Sequence, residues 1–599
     1  MRRNRKVALG VGLVAVAATV LAACGSSGGS KGNNTNANTN TSATNSSSPN
    51  TTSGYNSAAN NVINKSTKTG GTLNLLSTGD CDSWDPARTY YGWCWNMQRL
   101  FTRTLVGFSK VNGDKFTLAP DLATSLGKSS DNYKTWTYTL KSGLKYSTGA
   151  AITPADIKYG IERLFATDVI NGGPSSYFLD TIAHPKGYKG VYKSGPLPDS
   201  SISTTADSIT FHLTQSYADF DYLMALPASA PVPANVEGGA NYKAATYTKH
   251  PVASGPYMIQ SYSQNQQITF VRNPNWQQST DTIRKPLVDK VVLTIDKDAN
   301  DIDQKLQAGT ADARADNTVQ ATFQSKILTT PSLKANADDP VTPFTRYLAV
   351  MPSVIPNVHC RLAIFYATDK QGILRAYGGP TAGNVAGSMT PPGIEGNDPS
   401  YNPFPVGSGD SGDLAKAKSE LQQCGKPSGF STKFAYTTSS PQALNTFKAE
   451  QAALAKVGIK ITGAPADQST YYSTWIGSPK NIKNQGLGIA IAGWGADFPT
   501  GYGFYNSIAN GANILPNGNS NYPSLNDPTV NSVLDAAPSG KNTEADWKKL
   551  DTAIMNAAVY LPLYWGRDLY YRNPRLTNVT CNNAQAFGIY DFVNVGVGG

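Results

Sequence analysis

Leu487-Gly-Ile-Ala-Ile-Ala-Gly-Trp-Gly-Ala-Asp-Phe-Pro-Thr500 is the stretch from which the chain is best read. Leu487 to Ala492 is a short apolar run of strand type, expected to be a buried strand. It breaks into Gly493-Trp494-Gly495-Ala496-Asp497, where two glycines leave the backbone open to close approach by another chain. Trp494 supplies a flat apolar wall with one N–H donor. Asp497 falls just past the strand end, where α/β folds place ligand contacts. Together these residues suit an extended, amide-bearing ligand with a positive end. The same residues also read as a plain strand end, with Asp497 capping a helix before the turn at Pro499.

The N-terminal residues Met1-Arg-Arg-Asn-Arg-Lys6 precede an apolar run from Val7 to Ala23, then Cys24-Gly25-Ser26. A basic start, a short apolar stretch and small residues make a secretory signal over residues 1–23. Leu21-Ala22-Ala23-Cys24 resembles the bacterial lipobox, so Cys24 is expected to be lipidated and to anchor the chain without spanning the membrane. The alternative, a membrane-spanning helix, asks for a longer apolar run. From Cys24 to about residue 69 the chain is rich in Ser, Asn, Thr and Gly, and a flexible tether is expected.

The remainder, about Gly70 to Gly599, is long enough for two or three domains. Hydrophobic residues make up 40% of the chain and aromatics 10%, enough for a sizeable core. The formal charge is +10, and removing Arg2, Arg3, Arg5 and Lys6 with the signal leaves about +6. The basic residues are scattered, with no basic run beside aromatics, so nucleic acid is not an expected partner. Of six cysteines, Cys24 goes to the lipid. In an exported chain Cys81 with Cys94 and Cys360 with Cys424 is the expected pairing, with Cys581 free, although sequence leaves the connectivity open. No Cys-x-x-Cys occurs and His184, His212, His250 and His359 are scattered, so neither a metal site nor a cofactor is expected.

Several segments read clearly. Gly70 to Leu76 is a strand, and a helix is expected around Asn96–Val106. Thr135-Trp-Thr-Tyr-Thr-Leu140 alternates with period two. Thr153-Pro-Ala-Asp156 starts a helix with Thr153 as N-cap. Ala443–Val457 is an amphipathic helix closed by Gly458 and followed by a strand. Such alternation is that of an α/β fold.

Gly-Gly-Thr-Leu73, Asp85-Pro86, Ala119-Pro-Asp-Leu-Ala123, Trp136 to Tyr146, Thr153 to Tyr159, Pro251 to Tyr257, Arg272-Asn-Pro-Asn-Trp276, Leu306 to Asp312, His359 to Asp369 and the Gly-Trp-Gly-Ala-Asp stretch occur in one order. This series resembles the family 5 extracellular solute-binding proteins, the oligopeptide- and dipeptide-binding lipoproteins of ABC importers. The tail Asp591-Phe-Val-Asn-Val-Gly-Val597 is similar to actinobacterial members. The resemblance implies a two-lobed, periplasmic-binding-protein-like α/β fold of cluster C type. Lobe one would span 70–343 with an inserted subdomain at 99–237, lobe two 344–563, and a C-terminal return 564–599. It implies that Asp497 receives a peptide's α-ammonium, that Trp494 with Gly493 and Gly495 offers wall and backbone, and that Tyr90, Tyr91 and Gly92 line the opposite wall. Some oligopeptide binders carry an arginine near the ligand's C-terminus at the position that is Ile491 here. A monomer that closes on its peptide and docks on permease subunits outside the cytoplasmic membrane is therefore expected. Other solutes, such as oligosaccharides or metal chelates, are the alternative within the fold. A hydrolase is the rival class, since Ser408-Gly-Asp-Ser-Gly-Asp413 resembles a trypsin-like serine motif. No His-Glu-x-x-His or Walker loop accompanies it, and the chain is not expected to be an enzyme.

Overall fold

The strand Leu487–Gly495 lies inside a six-stranded sheet, which is why its apolar run is almost unbroken: neighbours cover it at both edges and on both faces. A computed structural model describes residues 54–112, 115–233, 247–249, 251–405, 412–438, 441–582 and 588–598. The expected signal, Cys24, most of the tether and residues 408–411 of the serine motif lie outside the described residues.

In that sheet the order is Gly383–Val385, Tyr560–Arg567, Val341–Val350, Leu487–Gly495, Ser431–Thr437, Lys460–Ala466. Val341–Val350 runs antiparallel to both of its neighbours, whereas Ser431–Thr437 is parallel to both of its own. The helix Pro441–Ala455 supplies one of the parallel crossovers, close to its expected bounds. A second, five-stranded sheet contains Thr72–Ser77 paired in parallel with Lys290–Ile295. Between those two strands the chain builds an antiparallel four-stranded sheet in which Thr135–Thr139 alternates and buries Trp136 and Tyr138. The helix Pro154–Leu164 starts at the expected capping box of Thr153 and Asp156. The fold is a two-lobed α/β architecture. Among the described residues no helix is long and apolar enough to cross a membrane.

Two passes of chain join the lobes side by side. Asp338 pairs with Tyr570 on one side of the connection and Val341 with Arg567 on the other. Arg567 bridges the passes, donating from Nε to Asp339 Oδ2 at 3.1 Å and from Nη2 to the Asp339 carbonyl at 3.0 Å. The strands of the second sheet thus begin slightly before residue 344 and continue past 563, because ladder pairing carries them to the connection itself.

Two local expectations are corrected. The helix expected at Asn96–Val106 is Gly92–Phe101, and Val106–Asn112 is a strand. Thr102 breaks the helix in an extended conformation and folds its hydroxyl back onto the Gln98 carbonyl at 2.9 Å. The tether expected through residue 69 ends earlier. Ser57–Asn60 is a helix, the Ala58 amide donates to Asp338 Oδ1 at 2.8 Å, and buried Ile63 bridges to Val579. Asn64 and Asn578 each donate a side-chain amide across the same contact, to Leu576 and Ser66 carbonyls. The polar composition that suggests a tether is here spent on hydrogen bonds to the far end of the chain.

Both expected disulfides form, Cys81–Cys94 and Cys360–Cys424, and Cys581 is free and buried. The first disulfide closes the segment that leads into Gly92–Phe101. That segment is also pinned by a fully buried pair, in which Arg163 grips Asp85 with Nη1–Oδ1 at 3.2 Å and Nη2–Oδ2 at 2.5 Å. Arg163→Ala leaves the Asp85 carboxylate buried and unpaired, which costs about 3–5 kcal/mol. A fall of that size in unfolding free energy by denaturant titration is expected, and a loss under 1 kcal/mol would contradict it.

Candidate functional site

The segment from Cys81 to Gly92 is anchored in the core by Trp84, which packs on Phe101 and Phe270, and polar contacts organise the rest of it. Asp82 accepts from Thr89 Oγ1 at 3.1 Å and from the Tyr90 amide at 3.0 Å. Arg88 donates to the carbonyls of Asp82 (2.7 Å) and Asn171 (2.9 Å). Trp95, on the first turn of the helix that starts at Gly92, donates its indole N–H to the Thr89 carbonyl at 2.9 Å and stacks on the Tyr90 ring with centroids 5.8 Å apart. Trp93 and Trp95 are both buried and both line the space beyond. The segment is therefore a rigid wall.

This wall faces the end of Leu487–Gly495 across a cavity of about 210 Å³. Asp82, Tyr90, Tyr91 and Gly92 line it from one lobe, and Gly493, Trp494, Gly495 and Asp497 from the other. All seven residues singled out from the sequence come together here. Their individual parts differ from expectation in several respects. Asp497 does not cap the next helix: Thr500 does, with its hydroxyl accepting from the Gly503 amide at 3.0 Å. Trp494 has already given its N–H to the Phe504 carbonyl at 2.7 Å, so it is a wall without a free donor. Gly493 stands opposite Arg346, and a methyl there would collide with the guanidinium. Gly495 makes the same room for the Phe344 ring. The glycines thus accommodate side chains of the adjacent strand. Tyr91 spans the cleft, donating its hydroxyl to the Gln468 carbonyl at 2.6 Å.

Asp497 is the most constrained group in the site. It is buried, and its Oδ2 accepts two phenols, Tyr90 at 2.8 Å and Tyr177 at 2.9 Å. Oδ1 accepts no hydrogen bond from the described residues. Burial pushes its pKa up to about 7, against the two phenol hydrogen bonds, which favour the ionised form. Asp82 is also pushed up, to about 6, chiefly by burial, with Arg88 opposing. Tyr177 comes from the inserted region, where its sequence context, Ser175-Ser-Tyr-Phe178, carries no motif. It also touches Phe498 and Tyr502, with ring centroids at 5.4 and 5.8 Å. Arg346 and Tyr472 line the cavity as well and were equally unmarked in the sequence.

Two α/β lobes on a double connection, with a cavity between them, define a periplasmic-type solute-binding protein. Residues 117–515 match the bacterial extracellular solute-binding proteins, family 5 (middle), and the chain belongs to that family. It is 27% identical over 540 residues to heme-binding protein A of Haemophilus influenzae, covering 86% of this chain and 90% of that one. It is 26% identical over 507 residues to a probable D,D-dipeptide-binding periplasmic protein of Escherichia coli, covering 82% and 88%. A solved structure described as clavulanic acid biosynthesis oligopeptide binding protein 2 is 36% identical, with a TM-score of 0.81 over 92% of this chain and 99% of that one.

The raised Asp497 pKa has a stability consequence. An acid with a folded pKa of about 7 and an unfolded value of about 3.9 withdraws stability as pH rises between those values, and no further above them. Asp497→Asn removes that penalty. The variant is expected to gain on wild type from pH 4 to 7, by about 2–4 kcal/mol at the upper end, and to hold that margin at pH 8. Thermal melts in matched buffers measure it; a margin that does not vary with pH would refute the assignment.

Proposed function

We propose that the protein captures short peptides in the interlobe cleft and delivers them to the permease subunits of an ABC importer. It is not an enzyme on this reading, and it works as a monomer held outside the cytoplasmic membrane by lipid on Cys24. The observation that carries the peptide reading is Asp497: a buried carboxylate at the cavity wall, with one oxygen held by two phenols and the other accepting no hydrogen bond from the described residues. A ligand ammonium at Oδ1 makes a charge-assisted hydrogen bond and offsets the cost of burying the ion. The flat aromatic walls of Trp494, Tyr90 and Tyr91 suit a chain of varied side chains. Closure by rotation about the paired connections at residues 338–341 and 567–570 brings the two walls onto the ligand together. A non-peptide solute is the second reading, supported by the relative named for heme binding.

Two measurements test the peptide reading. Asp497→Ala should weaken binding of free-amine peptides at least tenfold more than binding of their N-acetylated forms; equal losses would remove Asp497 from this role. Because the contact needs an ionised Asp497 and a protonated amine, affinity for trialanine in calorimetry should fall as pH drops below 7, by up to about tenfold per unit, and fall again above about 8 as the peptide's own amine loses its proton. Asp497→Asn should flatten the profile between pH 6 and 7.5, leaving only the fall that belongs to the peptide's amine. A wild-type profile that is flat across that window contradicts the proposed contact.

A further inference from the structure

Arg346 is an anomaly among the arginines in the interior. Arg99, Arg103, Arg163, Arg314 and Arg572 are buried, and each is ion-paired with an aspartate. Arg361, buried without an acid, donates to four backbone carbonyls. Arg346 is half-buried in the cavity wall, and its guanidinium neither donates a hydrogen bond to a described residue nor has a described carboxylate at ion-pairing distance. Its neighbours are rings: the guanidinium carbon lies 5.6 Å from the Phe344 centroid and 5.9 Å from that of Tyr377. Contacts of that kind are weak at partly exposed sites and satisfy none of the five N–H donors. Asp568 also lines the cavity and is near enough to be influenced by Arg346, but it takes the Tyr570 hydroxyl at 3.2 Å. The fold makes room for this charge: a side chain at Gly493 would collide with it.

We propose that Arg346 is the anion-recognition residue of the cleft and takes the terminal carboxylate of the ligand in a forked, two-hydrogen-bond contact. A guanidinium presents paired donors that match a carboxylate, and keeping it charged in a closing cleft is costly until such a partner arrives. The assignment also sets the ligand's length. Arg346 is in register with Gly493, four residues before Asp497. Four residues of chain reach at most about 14 Å. With the reach of the two side chains added, a peptide with its ammonium at Asp497 and its carboxylate at Arg346 is short, a few residues at most. The inference rests on the peptide reading given above.

The test is calorimetry with Ala-Ala-Ala, its C-terminal amide and its N-acetyl derivative. Wild type should bind the free acid at least tenfold more tightly than the amide. In Arg346→Gln that ratio should collapse towards one while the free-amine preference over the N-acetyl form is kept; Arg346→Lys should keep part of the ratio. An unchanged ratio in Arg346→Gln, in protein whose melt shows it to be folded, overturns the proposal and leaves the peptide reading intact. Native mass spectrometry of protein from its own producing cells separates the two ideas in the other direction. An acidic non-peptide cargo retained by wild type and lost from Arg346→Gln supports Arg346 and refutes the peptide reading. A neutral cargo retained by both refutes Arg346, and the absence of both cargo and probe binding counts against both.

Discussion

The register between Val341–Val350 and Leu487–Gly495 is the constraint from which the site follows. Side chains alternate across a strand, so a slip of one residue would turn Arg346 away from the cleft and move Gly493 out from under it. The register is held because both strands lie within the sheet and bury residues such as Leu348, Ala349, Ile489 and Ala490 completely. Asp497 inherits its position from the same pairing, two residues beyond the last strand residue, Gly495.

Opposite that sheet end stands a wall built on a different principle. The Cys81–Gly92 segment is positioned by a disulfide, the buried Asp85–Arg163 pair and the hydrogen bonds of Asp82 and Arg88. Polar contacts are directional, and they fix Tyr90 where its hydroxyl meets Asp497. The phenols of Tyr90 and Tyr177 then connect the first lobe and its inserted region to the second through a single carboxyl oxygen. Because burial raises that carboxyl's pKa to about 7, it is partly protonated near neutral pH, and the lobes meet without the full cost of an enclosed negative charge.

Legibility divides along the same line. Local chemistry is plain in the residues: the apolar run at Leu487, the alternation of Trp136 and Tyr138, the Thr153–Asp156 box, and the cysteines of an exported chain, whose connectivity only the fold fixes. The segments that meet at the cavity were also recognisable as motifs in series. The role of each group was less so. Trp494 reads as a free donor, but its indole N–H is bonded to the Phe504 carbonyl, and Gly493 reads as open backbone, but a guanidinium lies against it. Residues 54–69 looked unstructured because a few buried residues, Ala58 and Ile63 among them, carry no visible pattern without their partners near residue 579.

The amino-acid sequence alone determined the family, the α/β alternation, the disulfide cysteines and the acid at the strand end, since each depends on neighbours within a few residues or on a motif read in order. Tertiary structure alone decided that Tyr177 shares Asp497, that Arg346 lies against Gly493 with no carboxylate of the described residues at ion-pairing distance, and that the chain's first described helix closes on the connection between the lobes. Those contacts join residues separated by some 150 to 320 positions. Nothing in local propensity encodes them, because they come into being only when sheet register and lobe closure bring distant side chains to one place.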